Sequence, residues 1–110
     1  MIEKDLVVSL KTIINEVYPL LLPENVSLPA MTYQVIYDGA NQATNGNYMS
    51  RDVRFQVDIY SKSYSEAKGL KDLVVNNVIV LGGGSISAKD LYDNETELFR
   101  QLIDFKIKRT

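Results

Sequence analysis

The sequence predicts an α/β (α+β) domain in which a mixed, mainly antiparallel β-sheet packs against two helices, in the order α-β-β-α-β-β. The prediction rests on two segments whose apolar residues recur every three or four positions, on others where apolar and polar residues alternate, and on proline and glycine clusters between them. At 110 residues, 45% hydrophobic and 24% charged, the chain has the size and composition of one globular domain, expected to span residues 1–110 around a single core.

The first helix is expected over residues 2–18. Leu6, Leu10, Ile13, Ile14 and Val17 share a face, with Glu3, Lys4, Lys11 and Glu16 between them. Pro19 lacks a backbone donor and disfavours helical geometry at Tyr18, so the helix should stop there. Pro23 and Pro29 punctuate a connector over residues 20–29. Its Leu20, Leu21 and Leu22 are expected to cover the sheet edge as core, the alternative being a surface for a partner. A strand follows over residues 30–37, where Met31, Tyr33, Val35 and Tyr37 alternate with Thr32, Gln34, Ile36 and Asp38. The next strand has the cleanest alternation: Val53, Phe55, Val57 and Ile59 against Asp52, Arg54, Gln56, Asp58 and Tyr60, one face buried and one wet. Between these strands, residues 39–47 are rich in Asn and Gly and are expected to form a mobile loop in a long hairpin.

Ser63 stands three residues before Glu66, the spacing at which each side chain satisfies the other's free backbone N–H at a helix start. The second helix continues through Ala67, Leu70, Leu73, Val74 and Val78, weakens at Asn76 and Asn77, and breaks at Gly82, Gly83 and Gly84. A short strand is expected over residues 86–91, then a turn at Asp93 and Asn94. The last strand starts near Leu98, with Phe99, Ile103, Phe105 and Ile107 alternating with Arg100, Leu102, Asp104, Lys106 and Lys108.

Composition narrows the function classes. The absence of cysteine removes disulfides, thiolate metal sites and thiol nucleophiles, and the absence of histidine removes the side chain that normally titrates near neutral pH. An enzyme is therefore not expected, nor a cofactor or metal. A net charge of −2 gives no bulk attraction to nucleic acid or anionic lipid. Glu3 and Asp5 interrupt the first residues, unlike a signal peptide, and the apolar runs are too short to span a bilayer.

The motifs that invite chemistry have ordinary explanations. The run Gly82-Gly83-Gly84-Ser85 follows a helix and lacks the Lys-Ser/Thr pair of a phosphate loop. Asp90, Asp93, Glu95 and Glu97 do not have calcium-loop spacing and are expected to be a solvated turn. Asp58 sits on a strand's polar face and Glu66 at a helix start, so neither needs a role as acid or base. Seven tyrosines suit protein interfaces, although Tyr33 and Tyr37 share a strand face with Met31 and Val35 and are as readily core. Arg100, Lys106, Lys108 and Arg109 are expected to protect a solvated edge.

Taken in order, several stretches resemble the tail terminator or tail completion proteins of siphophages. They are Val17-Tyr18-Pro19 with residues 28–34, then residues 51–60 continuing into Ser63-Tyr64-Ser65-Glu66-Ala67, and finally residues 97–100 with Asp104-Phe105. The resemblance implies a structural virion protein of the tail or neck, assembled in the host cytoplasm. It implies a homo-oligomeric ring, usually a hexamer, that caps the tail tube, stops its polymerisation and offers a surface for head-tail joining. Its partners would be itself, the tail-tube protein and a head-completion connector, with DNA passing through the ring but no specific nucleic acid and no membrane. A different neck or head-completion protein, or a general cytosolic binding module, are the alternatives. For contacts, residues 39–47 with Tyr48 are the candidate loop, represented by Gly39, Asn41, Gln42, Asn45, Asn47 and Tyr48. Arg51, Arg54 and Asp58 are the candidate subunit-interface polar face.

Overall fold

A computed structural model describes residues 2–42 and 48–109. The elements are α1 (Ile2–Lys11), β1 (Val17–Pro19), β2 (Ala30–Gln42), β3 (Tyr48–Ser61), α2 (Tyr64–Val80), β4 (Gly83–Asp93) and β5 (Leu98–Arg109). They build a five-stranded sheet in the order β1-β2-β3-β5-β4, parallel only between β1 and β2, so the expected α+β class is the one observed. One strand more than expected precedes α2.

That strand lies where the first helix was expected to continue. α1 ends at Lys11 because the next residues, Thr12, Ile13, Ile14 and Asn15, combine β-branching with a side chain that competes for the backbone. Thr12 Oγ1 donates to the carbonyl of Ser9 at 2.6 Å, and the N–H groups of Thr12 and Ile13 close tight turns onto Ser9 and Leu10. The chain then gains more by pairing Val17 with Met31 than by another helical turn. Pro19 is accommodated at the end of this edge strand, where no ladder donor is needed.

Both helices lie on one face of the sheet, over a core in which Val53, Phe55, Val57 and Ile59 of β3 stand beside Ile103, Phe105 and Ile107 of β5. Ile2, Leu6 and Leu10 of α1 and Val74 and Val78 of α2 close it from above, and Asn77 Nδ2 ties the helices by donating to the Ser9 carbonyl at 3.2 Å. Leu73, expected on the core face of α2, is instead exposed. Leu20 and Leu21 are not core cover either, at 66% and 81% exposed. Leu20 turns out of β1 with φ of 65° while its N–H donates to the carbonyl of Tyr33 at 2.9 Å, a geometry that carries both side chains away from the sheet.

Register shifts in β2 and β4 alter the expected alternation. In β2 the register shifts between Val35 and Tyr37: Val35 opposes Phe55 but Tyr37 opposes Arg54. The shift sends Tyr37 to the face opposite the helices, so it is exposed rather than core. In β4 a second shift between Gly84 and Ser87 accompanies Ser85 at φ 51°. Gly83 and Gly84 belong to β4, so the glycine run serves as strand as well as break. At Gly82, φ is 88°, the left-handed turn that a helix end favours, and a Cβ on Gly83 would run into Val78.

The α2 start forms only half of the expected reciprocal cap. Ser63 Oγ accepts the Glu66 N–H at 3.3 Å, but Glu66 Oε1 accepts from Ser61 Oγ at 2.6 Å, and Ser61 Oγ in turn accepts the Ser63 N–H at 3.0 Å. A buried serine at the end of β3 thus takes the place of the direct return bond.

Candidate functional site

Among the described residues no element covers the face opposite the helices. Its side chains come from even positions of β3 and β5, which the alternation places away from Phe55 and Phe105: Asp52, Arg54, Gln56, Asp58 and Tyr60 face Lys108, Lys106, Asp104, Leu102 and Arg100 across the ladder. Charges of opposite sign interleave. Arg100 Nη2 donates to Asp58 Oδ2 at 2.6 Å while its guanidinium carbon lies 5.1 Å from the Tyr60 ring centre, an arrangement that holds Asp58 nearly buried. Arg54 approaches Asp104 at 3.7 Å and Lys106 approaches Asp52 at 3.6 Å. Tyr37, Asp52, Arg54 and Lys106 line a hollow of about 350 Å³ on this face.

The expected polar face is therefore assembled only in part. Arg54 and Asp58 share it, but Arg51 has the parity of Val53 and lies on the helix side. There its guanidinium donates to both carboxylate oxygens of Asp38, Nε to Oδ1 at 2.8 Å, and holds the Asp38 carboxyl below the usual aspartate range. This fork pins the base of the β2–β3 ribbon beside a small notch lined by Ile2, Glu3, Val35, Val53 and Phe55.

The candidate contact loop is shorter than expected. Gly39, Asn41 and Gln42 are strand residues of β2, Gly39 opposite Asp52, Asn41 opposite Ser50 and Gln42 opposite Tyr48 of β3. Asn and Gly are weak strand formers, yet the backbone ladder of the ribbon carries them. Asn45 and Asn47 lie outside the described residues. At Gly39 the Tyr37 ring occupies the space a Cβ would need, so glycine permits the aromatic ring to fold along the strand.

At the far end of the sheet, Tyr64, Tyr92 and Phe99 form an aromatic cluster, with ring centres 5.7 Å (Tyr64–Phe99) and 4.9 Å (Tyr92–Phe99) apart. Asp90 organises its border, accepting from Gln101 Nε2 at 2.6 Å, the Tyr64 hydroxyl at 2.9 Å and Lys68 Nζ at 3.2 Å. Sequence reasoning placed Asp90 in a solvated turn and missed this node; the available signal was Gln101, a polar residue at a core-facing position of β5. The bond from Gln101, then those from Tyr64 and Lys68, lower the Asp90 pKa. A depressed carboxyl stabilises the fold fully above the ordinary aspartate range, and that contribution is lost as pH falls through the lowered folded value. The melting-temperature gap between wild type and Asp90→Asn should therefore be constant from pH 7 to 5 and shrink below about pH 4. A gap that widened with acid would contradict this reading of the node.

Among the described residues no group of three or more Asp or Glu side chains converges to hold a metal, and no helix is long and apolar enough to cross a membrane. Asp58 and Glu66, the one imaginable acid and base, are separately engaged by Arg100 and Ser61. Fold and surface together define a two-layer α+β domain whose open sheet face carries cross-strand ion pairs.

The sequence profile of the tail completion protein gp17 family matches residues 7–108. The chain belongs to that family, a family of structural phage proteins. No curated protein sequence matches it. Among solved structures, it is similar to a chain of the virion of a native gene transfer agent particle, with a TM-score of 0.65 at 12% identity, covering 98% of this chain and 90% of that one. At that identity the likeness is one of fold.

Proposed function

We propose that the protein is a structural component of a phage-type virion, located at the tail or neck, which forms a ring, a hexamer as in the terminators it resembles, on the last ring of the tail-tube protein. The ring stops tube polymerisation and offers a surface to the head-completion connector, while DNA passes through without specific recognition. The protein acts through surfaces and not by catalysis. The family match over nearly the whole chain is the observation that carries this reading. The structure supports it with an uncovered, charge-interleaved sheet face and a projecting ribbon on a domain measuring 53 × 24 × 24 Å. A closed ring uses two different surfaces of each copy, and an elongated domain with dissimilar ends supplies them.

Deleting the protein from a producing phage should yield tails of irregular length that fail to join heads, scored by electron microscopy of lysates. Tails of normal, uniform length joined to heads would overturn the terminator reading. Uniform tails beside unjoined, filled heads would favour the alternative, a neck or head-completion protein of the same particle.

A further inference from the structure

The hollow on the open face is electrostatically unfinished. Arg54 Nε and Lys106 Nζ stand 3.7 Å and 3.6 Å from the Asp104 and Asp52 carboxylates, beyond hydrogen-bond length, so donors of both cations are open to a further acceptor. Both cations are only half-buried, and the Tyr37 ring, lying along Gly39, is 61% exposed and forms one wall. Beside Asp52, such a hollow presents two charged donors and an aromatic surface, and the donors are the chemistry that receives a carboxylate side chain.

A matching group exists at the other end of the same strands. The Asp93 carboxylate accepts the Glu95 N–H at 3.0 Å and the Thr96 hydroxyl at 2.9 Å, and the Glu97 N–H donates to the Asp93 carbonyl at 2.8 Å. The β4–β5 turn is thereby fixed, and it holds Glu95 and Glu97 exposed, neither in an ion pair among the described residues. These carboxylates cannot reach the hollow of their own chain: from Leu98 to Lys106 along β5 is roughly 27 Å at the rise of an extended strand.

We propose that the acidic β4–β5 turn of one copy inserts Glu95 and Glu97 into the Tyr37–Arg54–Lys106 hollow of a second copy, a head-to-tail contact. It rests on the ring reading above and names the surfaces by which neighbours in that ring join.

The test is charge exchange, read as ring assembly by native mass spectrometry and on tail-tube ends by electron microscopy. Glu95→Lys with Glu97→Lys should weaken assembly at least about tenfold, as should Arg54→Glu with Lys106→Glu, each with an unchanged melting temperature. Should the hollow reversal unfold the domain beside Asp52 and Asp104, Arg54→Gln with Lys106→Gln carries the same expectation. A chain bearing both reversals should assemble again, as should an equal mixture of the two reversed proteins. Wild-type rings whose yield neither reversal changes, or a loss that no combination restores, would overturn the turn-to-hollow contact and leave the ring standing. A wild-type protein that forms no ring in either setting would overturn the ring itself.

Discussion

Phe55→Ala or Phe105→Ala lowers the stability of the domain by about 3 to 5 kcal/mol, the range for emptying a buried aromatic position. Both rings are fully buried, face each other across the β3–β5 ladder, and stack with centres 5.6 Å apart at an interplanar angle of 27°. No neighbour can fill the gap without moving, because helices from above and strands on both sides already hold the surrounding side chains. Domains of this kind are stable by about 5 to 15 kcal/mol, so one such substitution removes a large fraction of the total. The two are coupled: once one ring is gone the other has lost its stacking partner, and the double variant should cost less than the sum by about 0.5 to 1.5 kcal/mol. Urea unfolding monitored by circular dichroism reads all of these. Midpoints that hardly move would mean that the rings do not form the centre of the core.

These two residues also show what is legible in the sequence. Alternation in residues 52–60, and in residues 98–108 apart from Gln101 and Leu102, put Phe55 and Phe105 on buried faces, and the strands form there. Three-residue spacing from Ser63 to Glu66 placed the α2 start. The failures share a physical cause, a tertiary pairing that outweighs local pattern. Residues 12–18 retain helical periodicity, but Val17 is held in β1 by Met31, a residue far along the chain. Tyr37 follows the period of Met31, Tyr33 and Val35, and one bulge residue reverses its face. Composition made residues 39–42 look like loop, whereas their partners on β3 make them strand.

The candidate surface was legible to a similar degree. Parity alone groups Arg54 with Asp58 and separates Arg51, which falls in step with Val53; the three were grouped by charge where alternation would have divided them. The partnerships that matter chemically, Asp38 with Arg51, Asp58 with Arg100 and Asp90 with Gln101, join positions from 11 to 42 residues apart and depend on register. One chain's periodicity carries no information on which residue of a neighbouring strand stands opposite, so those pairs could not have been read from it.

The projecting ribbon gives the largest expected functional effect. Ala40 and Arg51 oppose each other in register, so replacing residues 41–50 with Asn-Gly lets that pair flank a two-residue turn and keeps the Asp38–Arg51 fork. The domain should still fold, because the nearest core residue on β3 is Val53 and each halving of a loop changes its closure cost by only about 0.6 kcal/mol. A melting temperature within a few degrees of wild type checks that part. If the ribbon carries part of the contact to the tail tube or to a neighbouring copy, the shortened protein should bind tube ends poorly and fail to restore fixed-length, head-joined tails to a phage lacking the natural protein. Arms of this kind have little stability to contribute in isolation and gain their ordered contacts only in the assembly, which separates the two readouts. Normal tails from the shortened protein would remove the ribbon from the contact while leaving the turn-to-hollow joint untouched, since Tyr37, Arg54, Lys106, Glu95 and Glu97 all lie outside the replaced segment.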